Sequence, residues 1–157
     1  MISFTSFSEA DTAKIACLLA PLLRDGDVIA LSGDLGAGKT FFSQSFIRAL
    51  GIDEIVTSPT FTLLQIYDGP ISVHHFDLYR LEYADELEEI GFNEYTSYGI
   101  SLIEWADKFS AELPVQHLAL SIKRGHGETE RILLFEPHGA HYETVCKELI
   151  SLVNAGI

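Results

Sequence analysis

The sequence predicts an α/β fold: a single domain whose sheet mixes parallel and antiparallel strands and carries helices on both faces. Three observations point to it. The apolar run 28–31 (VIAL) passes through a glycine-rich loop into a segment with apolar residues at Phe42, Phe46, Ile47 and Leu50, the strand, loop, helix order of a parallel unit. The runs 61–67 and 71–76 are separated only by Asp68, Gly69 and Pro70, too little chain for a crossover, so they pair antiparallel. Finally, 157 residues at 47% hydrophobic content suit one core, and no linker, repeat or low-complexity segment divides them.

From the start of the chain, residues 2–7 alternate apolar and polar, as a half-exposed strand does. Ser8 and Asp11 have the spacing of an acidic capping box, opening a helix with Ile15, Leu18, Leu19 and Leu22 on one face. Pro21 kinks or ends it. Gly26 and Asp27 turn the chain into strand 28–31. Gly51 caps the helix after the glycine-rich loop, and Thr57, Ser58, Pro59 and Thr60 form a polar loop. After the first hairpin comes an acidic helix with Leu87 and Ile90 inside; Asp85, Glu86, Glu88 and Glu89 form a solvated face or a surface for a basic partner. Residues 100–103 read as a short buried strand ending at Glu104 and Trp105. Residues 115–122 and 131–135 form a second hairpin around 123–127, and 142–153 close the chain as an amphipathic helix.

The formal net charge is −13, from 23 acids against 10 Lys and Arg. Such a surface repels a phosphate backbone; in a nucleic-acid pathway another subunit holds the nucleic acid. The first residues lack the basic and apolar regions of a secretion signal, and no apolar run has membrane-spanning length, so a soluble cytoplasmic protein is expected. Cys17 and Cys146 lie in helical segments and read as buried free thiols. His74 and His75 are neighbours on a strand, point to opposite faces and cannot share a metal. His138 and His141 have a usable spacing without accompanying ligands, so no zinc is assigned.

The loop GDLGAGKT, residues 33–40, matches G-x-x-x-x-G-K-[ST], and each fixed residue has a physical task. Glycines at 33, 36 and 38 let successive N–H groups turn inward around phosphate oxygens. The following helix aims its positive end at the same place. Lys39 reaches the β- and γ-phosphates as a mobile charge, and the Thr40 hydroxyl ligates the Mg2+ that bridges them. The domain is thus read as a P-loop NTPase fold, with Asp34, Leu35, Gly36, Ala37, Gly38, Lys39, Thr40 and Phe41 about the nucleotide.

Hydrolysis also needs a carboxylate in the metal shell and a group that orients water, and in open α/β sheets these come from the ends of neighbouring strands. Two strands end in acids, VHHFD at Asp77 and ISLIE at Glu104. With Lys39 and Thr40 they are the candidate catalytic and metal residues, one carboxylate ordering the metal's waters and the other the attacking one. Thr60, behind Pro59, sits where a switch threonine senses a γ-phosphate, or is a simple turn residue. Arg80 offers charge to the transition state or pairs with a nearby acid. Trp105, the only tryptophan, stacks on a base, anchors a partner or packs in the core.

The succession GDLGAGKT, SPTFTLLQIY, HHFDLYRL, ELEEIGFNEY and LIEWAD resembles the TsaE family, also called YjeE, the small bacterial P-loop ATPases of tRNA threonylcarbamoyladenosine biosynthesis. The likeness covers residues 26–108; beyond Pro114 it rests on strand and helix pattern. It implies ATP and Mg2+ as cofactors and TsaB- and TsaD-type partners. It also implies ATP hydrolysis, weak alone and stimulated by the partners, in support of the threonylcarbamoyl transfer that TsaD performs on adenosine 37 of tRNA. Its metal-site acids correspond to Asp77 and Glu104, its switch-like loop to 58–60 and its tryptophan to Trp105. Phe41 and Ser45 stand where many members have Thr and Gly, past the phosphate-contacting part. The choice of ATP rests on this resemblance and on the absence of an N-K-x-D element, with which GTP switches commonly read guanine. A small-molecule P-loop kinase is the alternative function, but the arginine-rich lid it needs could come only from Lys123, Arg124 and Arg131.

Overall fold

The unbroken apolar run of β2 (Val28–Ser32) follows from its position at the middle of a seven-stranded sheet, where a parallel strand is covered on both faces. The computed structural model describes every residue except Ser58, Thr60 and Ile157. With β1 (Ile2–Ser6), β3 (Leu64–Tyr67), β4 (Val73–Asp77), β5 (Ile100–Glu104), β6 (His117–Arg124) and β7 (Arg131–His138), the order across the sheet is β1-β7-β6-β2-β5-β4-β3. The strands β4, β5, β2 and β6 run parallel; β3 and β7 are antiparallel to their neighbours. The sheet is mixed, as expected.

Alternation along β2 splits the core in two. Ile29 and Leu31 join a cluster with α1 (Glu9–Leu19), α2 (Lys39–Ala49) and α5 (Ala140–Asn154). Val28 and Ala30 face the short helices α3 (Asp85–Glu89) and α4 (Phe92–Tyr95) and the 3-10 segment Ala106–Glu112. Helices therefore cover both faces. Among the described residues, no helix is long and apolar enough to cross a membrane.

The local signals act as their chemistry requires. The Ser8 side chain accepts the Asp11 N–H at 3.1 Å, while the Asp11 carboxylate accepts the Phe7 N–H at 3.0 Å, one residue outside the usual box. The α-helix stops at Leu19 and tightens into a 3-10 turn, Ala20–Leu22, around Pro21. Pro137 is tolerated in β7 because the flanking β1 ends its pairing at Phe135.

Three expectations are corrected. The strand expected over 61–67 begins only at Leu64: Leu63 takes φ +67° and donates its N–H to the Pro59 carbonyl at 2.7 Å, a turn that leaves Phe61 exposed. The strand expected over 115–122 runs instead from His117 to Arg124, so Lys123 and Arg124 pair with β7 and do not form the turn; the acidic helix forms as expected with Leu87 buried, and Gly91, at φ +71°, starts a second short helix after it. Cys17 is exposed although Cys146 is buried, because the buried stripe of α1 is Thr12, Ile15, Ala16 and Leu19 and position 17 falls outside it.

At the N-terminal end of β2 the buried Tyr142 hydroxyl accepts the Val28 N–H at 3.0 Å and donates to Asp27 at 3.4 Å. Burial pushes its pKa from 10 up to about 12, with the Asp27 charge adding to the shift. Tyr142→Phe strands a buried N–H and should cost about 1–3 kcal/mol at neutral pH in denaturant melts. Because the folded pKa is the higher one, this contribution is complete below pH 10 and is lost as pH rises towards about 12. The stability gap between wild type and Y142F should narrow over that range; a constant gap contradicts this placement.

Candidate nucleotide site

The loop between β2 and α2 has a shape that side chains would prevent. Gly33, at φ +144°, lies so close to β6 that a Cβ would strike the Ile122 carbonyl oxygen, and Gly38, at φ +113°, is the left-handed N-cap of α2. The Ala37 N–H closes a turn on the Asp34 carbonyl at 3.0 Å. The first-turn N–H groups of α2 have no acceptor within the helix, so its end offers donors and a positive field to an anion.

Lys39 is folded into that loop. Its Nζ donates to the carbonyls of Gly33 at 2.6 Å and Asp34 at 2.9 Å and lies 4.0 Å from the centre of the Trp105 ring. Burial lowers its pKa, opposed by the negative charges of Glu104, Asp107, Asp77 and Asp34. Trp105 makes this contact from a left-handed backbone conformation, φ +60° and ψ 34°, rare for a large side chain. Tyr79 packs against it with ring centres 4.8 Å apart. The ring is half-buried: it borders the site on one side and packs against the core cluster of Val28, Ala30 and Ile103 on the other.

The two strand-end acids meet because β4 and β5 run parallel in a register that puts Asp77 opposite Glu104. Val73 and Leu102 belong to the core cluster under α2, so alternation turns His75, Asp77 and Glu104 to that same face. There the Thr40 hydroxyl donates to Glu104 Oε1 at 3.0 Å, and His75 Nε2 meets Glu104 Oε2 at 2.5 Å. Asp77 accepts the Tyr79 N–H at 3.0 Å. Leu35, Lys39, Thr40, Asp77, Glu104 and Trp105 line one cavity of about 240 Å³.

Phe41 borders this cavity and also a second one, on the other side of the loop beside the N-terminus of α1 and the β6–β7 hairpin. Ser8, Ala37, Ile122, Thr129 and Arg131 line the second cavity. Arg131 Nε donates to the Ala37 carbonyl at 3.0 Å and Arg124 to the Gly36 carbonyl at 3.4 Å. Two guanidiniums thus hold the loop from outside.

Of the residues read from the loop motif, 35–41 line the two cavities, Asp34 contributes the carbonyl that holds Lys39, and Asp77, Glu104 and Trp105 border the cavity of Lys39 and Thr40. Thr60 falls outside the described residues. Arg80 lies over the Phe61 ring, 5.2 Å from its centre. Sequence reasoning missed His75 and the role of Arg131. Strand alternation signals the first, since His75 lies two residues before Asp77; nothing local signals the second.

A family model described as "Threonylcarbamoyl adenosine biosynthesis protein TsaE" matches residues 6–133. A tRNA threonylcarbamoyladenosine biosynthesis protein TsaE of Bacillus subtilis (strain 168) is 43% identical over 150 residues, covering 94% of this chain and 93% of that protein. The protein of the same name from Treponema pallidum (strain Nichols) is 40% identical over 119 residues, 75% of this chain and 88% of that one. The crystal structure of Bacillus subtilis YdiB superposes with a TM-score of 0.80 at 37% identity, covering 96% of this chain and 94% of that chain.

Because Trp105 is the only tryptophan, its emission reports on Lys39. Lys39→Met should change the intensity or wavelength of that emission, while Lys108→Met, whose ammonium contacts Tyr79 instead, should change it much less. Equal responses contradict the stacked arrangement.

Proposed function

The chain belongs to the TsaE family, and on that footing we propose that residues 1–157 act as one Mg2+-dependent P-loop ATPase domain. Its role is that of an accessory subunit in tRNA threonylcarbamoyladenosine formation, in the cytoplasm. Its partners are TsaB- and TsaD-type proteins, and it meets tRNA through them. The observation that carries this reading is the convergence of Lys39, Thr40, Asp77 and Glu104 on one cavity at the positive end of α2.

In this reading Lys39 Nζ exchanges two loop carbonyls for β- and γ-phosphate oxygens, a charge-assisted and stronger pairing. The Thr40 hydroxyl and the carboxylates of Glu104 and Asp77 are hard oxygen donors, the set that Mg2+ takes beside phosphate and water. Held by Thr40, Glu104 and Asp77, such an ion would supply charge neutralisation to the phosphates. One of the two carboxylates holds the metal's shell and the other orients the attacking water. The adenosine lies in the second cavity, against the apolar walls of Phe41 and Ile122, with Ser8 and Thr129 as polar contacts. The alternative, a small-molecule kinase, has less to build a lid from: of Lys123, Arg124 and Arg131, both arginines are engaged with the loop's own carbonyls.

ATP turnover by the chain with TsaB- and TsaD-type proteins tests this directly. The partners should raise the rate, and Lys39→Ala, Asp77→Ala and Glu104→Ala should each lower it about 100-fold or more. Turnover that ignores the partners, or survives all three changes, contradicts the proposal. The nucleoside position has a separate check. Phe41→Ala should weaken ATP binding about tenfold, roughly what removing a base contact costs, and leave tripolyphosphate binding unchanged; equal losses place the base elsewhere.

A further inference from the structure

Glu104 is a buried carboxylate with two separately held oxygens. Oε1 accepts the Thr40 hydroxyl and Oε2 meets His75 Nε2. A carboxylate can only accept, so in this contact the proton sits on Nε2 of the imidazole. His75 is fully enclosed in β4, and its other ring nitrogen, Nδ1, is buried with no hydrogen-bond partner among the described residues. A buried imidazole held by one bond to one carboxylate has a single polar task here, in contrast to its neighbour. His74, on the opposite face, contacts the Tyr95 carbonyl at 2.6 Å and Ser72 at 3.0 Å and packs among tyrosines.

We propose that His75 is the positioning residue for Glu104: it fixes the carboxylate plane by holding Oε2, so that Oε1 stays turned to Thr40 and to the Mg2+ side of the site. This rests on the magnesium-nucleotide reading above. Without that bond the Glu104 side chain regains rotamers about its two sp³ torsions; Thr40 loses a preset hydrogen-bond acceptor and a bound metal would lose a preset oxygen ligand. Partners that orient a ligating group in this way typically contribute 10–100-fold in metal affinity or activity.

The test compares two amides of similar polarity and different reach. The amide nitrogen of H75Q extends to where Nε2 lies, whereas that of H75N is one methylene short. ATP affinity is measured by calorimetry with Mg2+ and with EDTA, after thermal melts of each variant. Wild type and H75Q should gain affinity from Mg2+ to the same extent within about threefold; H75N should lose about tenfold or more of that gain, with its EDTA affinity unchanged. A merely structural histidine would lower the melting temperature in both variants and leave the Mg2+ gain intact in both, which overturns the inference alone. Wild-type chain that binds no ATP overturns the nucleotide reading and this inference with it. Should H75N not fold, the imidazole 15N resonances of the wild type decide. A protonated Nε2 whose shift moves when Mg2+ is added to the nucleotide complex supports the role; an Nε2 without a proton, or one blind to Mg2+, overturns it.

Discussion

The parallel register of β5 against β2 on one side and β4 on the other is the constraint on which the site depends. Parallel strands end together, so the loop leaving β2, the carboxylate ending β5 and the carboxylate ending β4 arrive at one edge of the sheet. A register slip of one residue would turn Asp77 or Glu104 to the opposite face, towards the cluster of Phe76 and Ile103. That slip is opposed by the burial of every residue of β4 and of β5. Core packing and site geometry are therefore the same set of contacts seen from two sides.

On that frame the loop and its lysine form a self-satisfied unit. The Lys39 ammonium cannot stay buried without acceptors, and it finds two carbonyls of its own loop and the face of Trp105. Around it lie four acidic side chains that favour its charge. Arg124 and Arg131 hold the outer side of the loop, so the loop conformation is kept by contacts from β6–β7 as well as by its glycines. On the proposed reading, phosphate would have only to replace the internal acceptors of the lysine, the loop being already held in shape.

Much of this was legible in the chain because it is encoded locally. The run 28–31, the glycines at positive φ and the apolar spacing after Lys39 each specify their own conformation, and the strand-end acids could be read from two short apolar runs. The misreadings arise where tertiary context decides. Phe61, Thr62 and Leu63 look like the start of a strand, yet Leu63 turns left-handed and closes on Pro59. The exposure of Cys17 depends on the phase of α1 against the sheet, which Ile15 and Leu19 set. Alternation in β4 was enough to separate His74 from His75, but that His75 should reach Glu104 depends on the pairing of β4 with β5, and the hold of Arg131 on Ala37 on where β7 stands relative to the loop.

The most direct measurement is a crystal structure of the chain with Mg2+ and a non-hydrolysable ATP analogue. The account predicts the phosphates inside the loop 33–40, Lys39 Nζ withdrawn from Trp105 onto the β- and γ-oxygens, Mg2+ on the Thr40 hydroxyl beside Glu104 and Asp77, and the base next to Phe41. Phosphates bound away from that loop, or a lysine still seated on the carbonyls of Gly33 and Asp34 with nucleotide present, would contradict it.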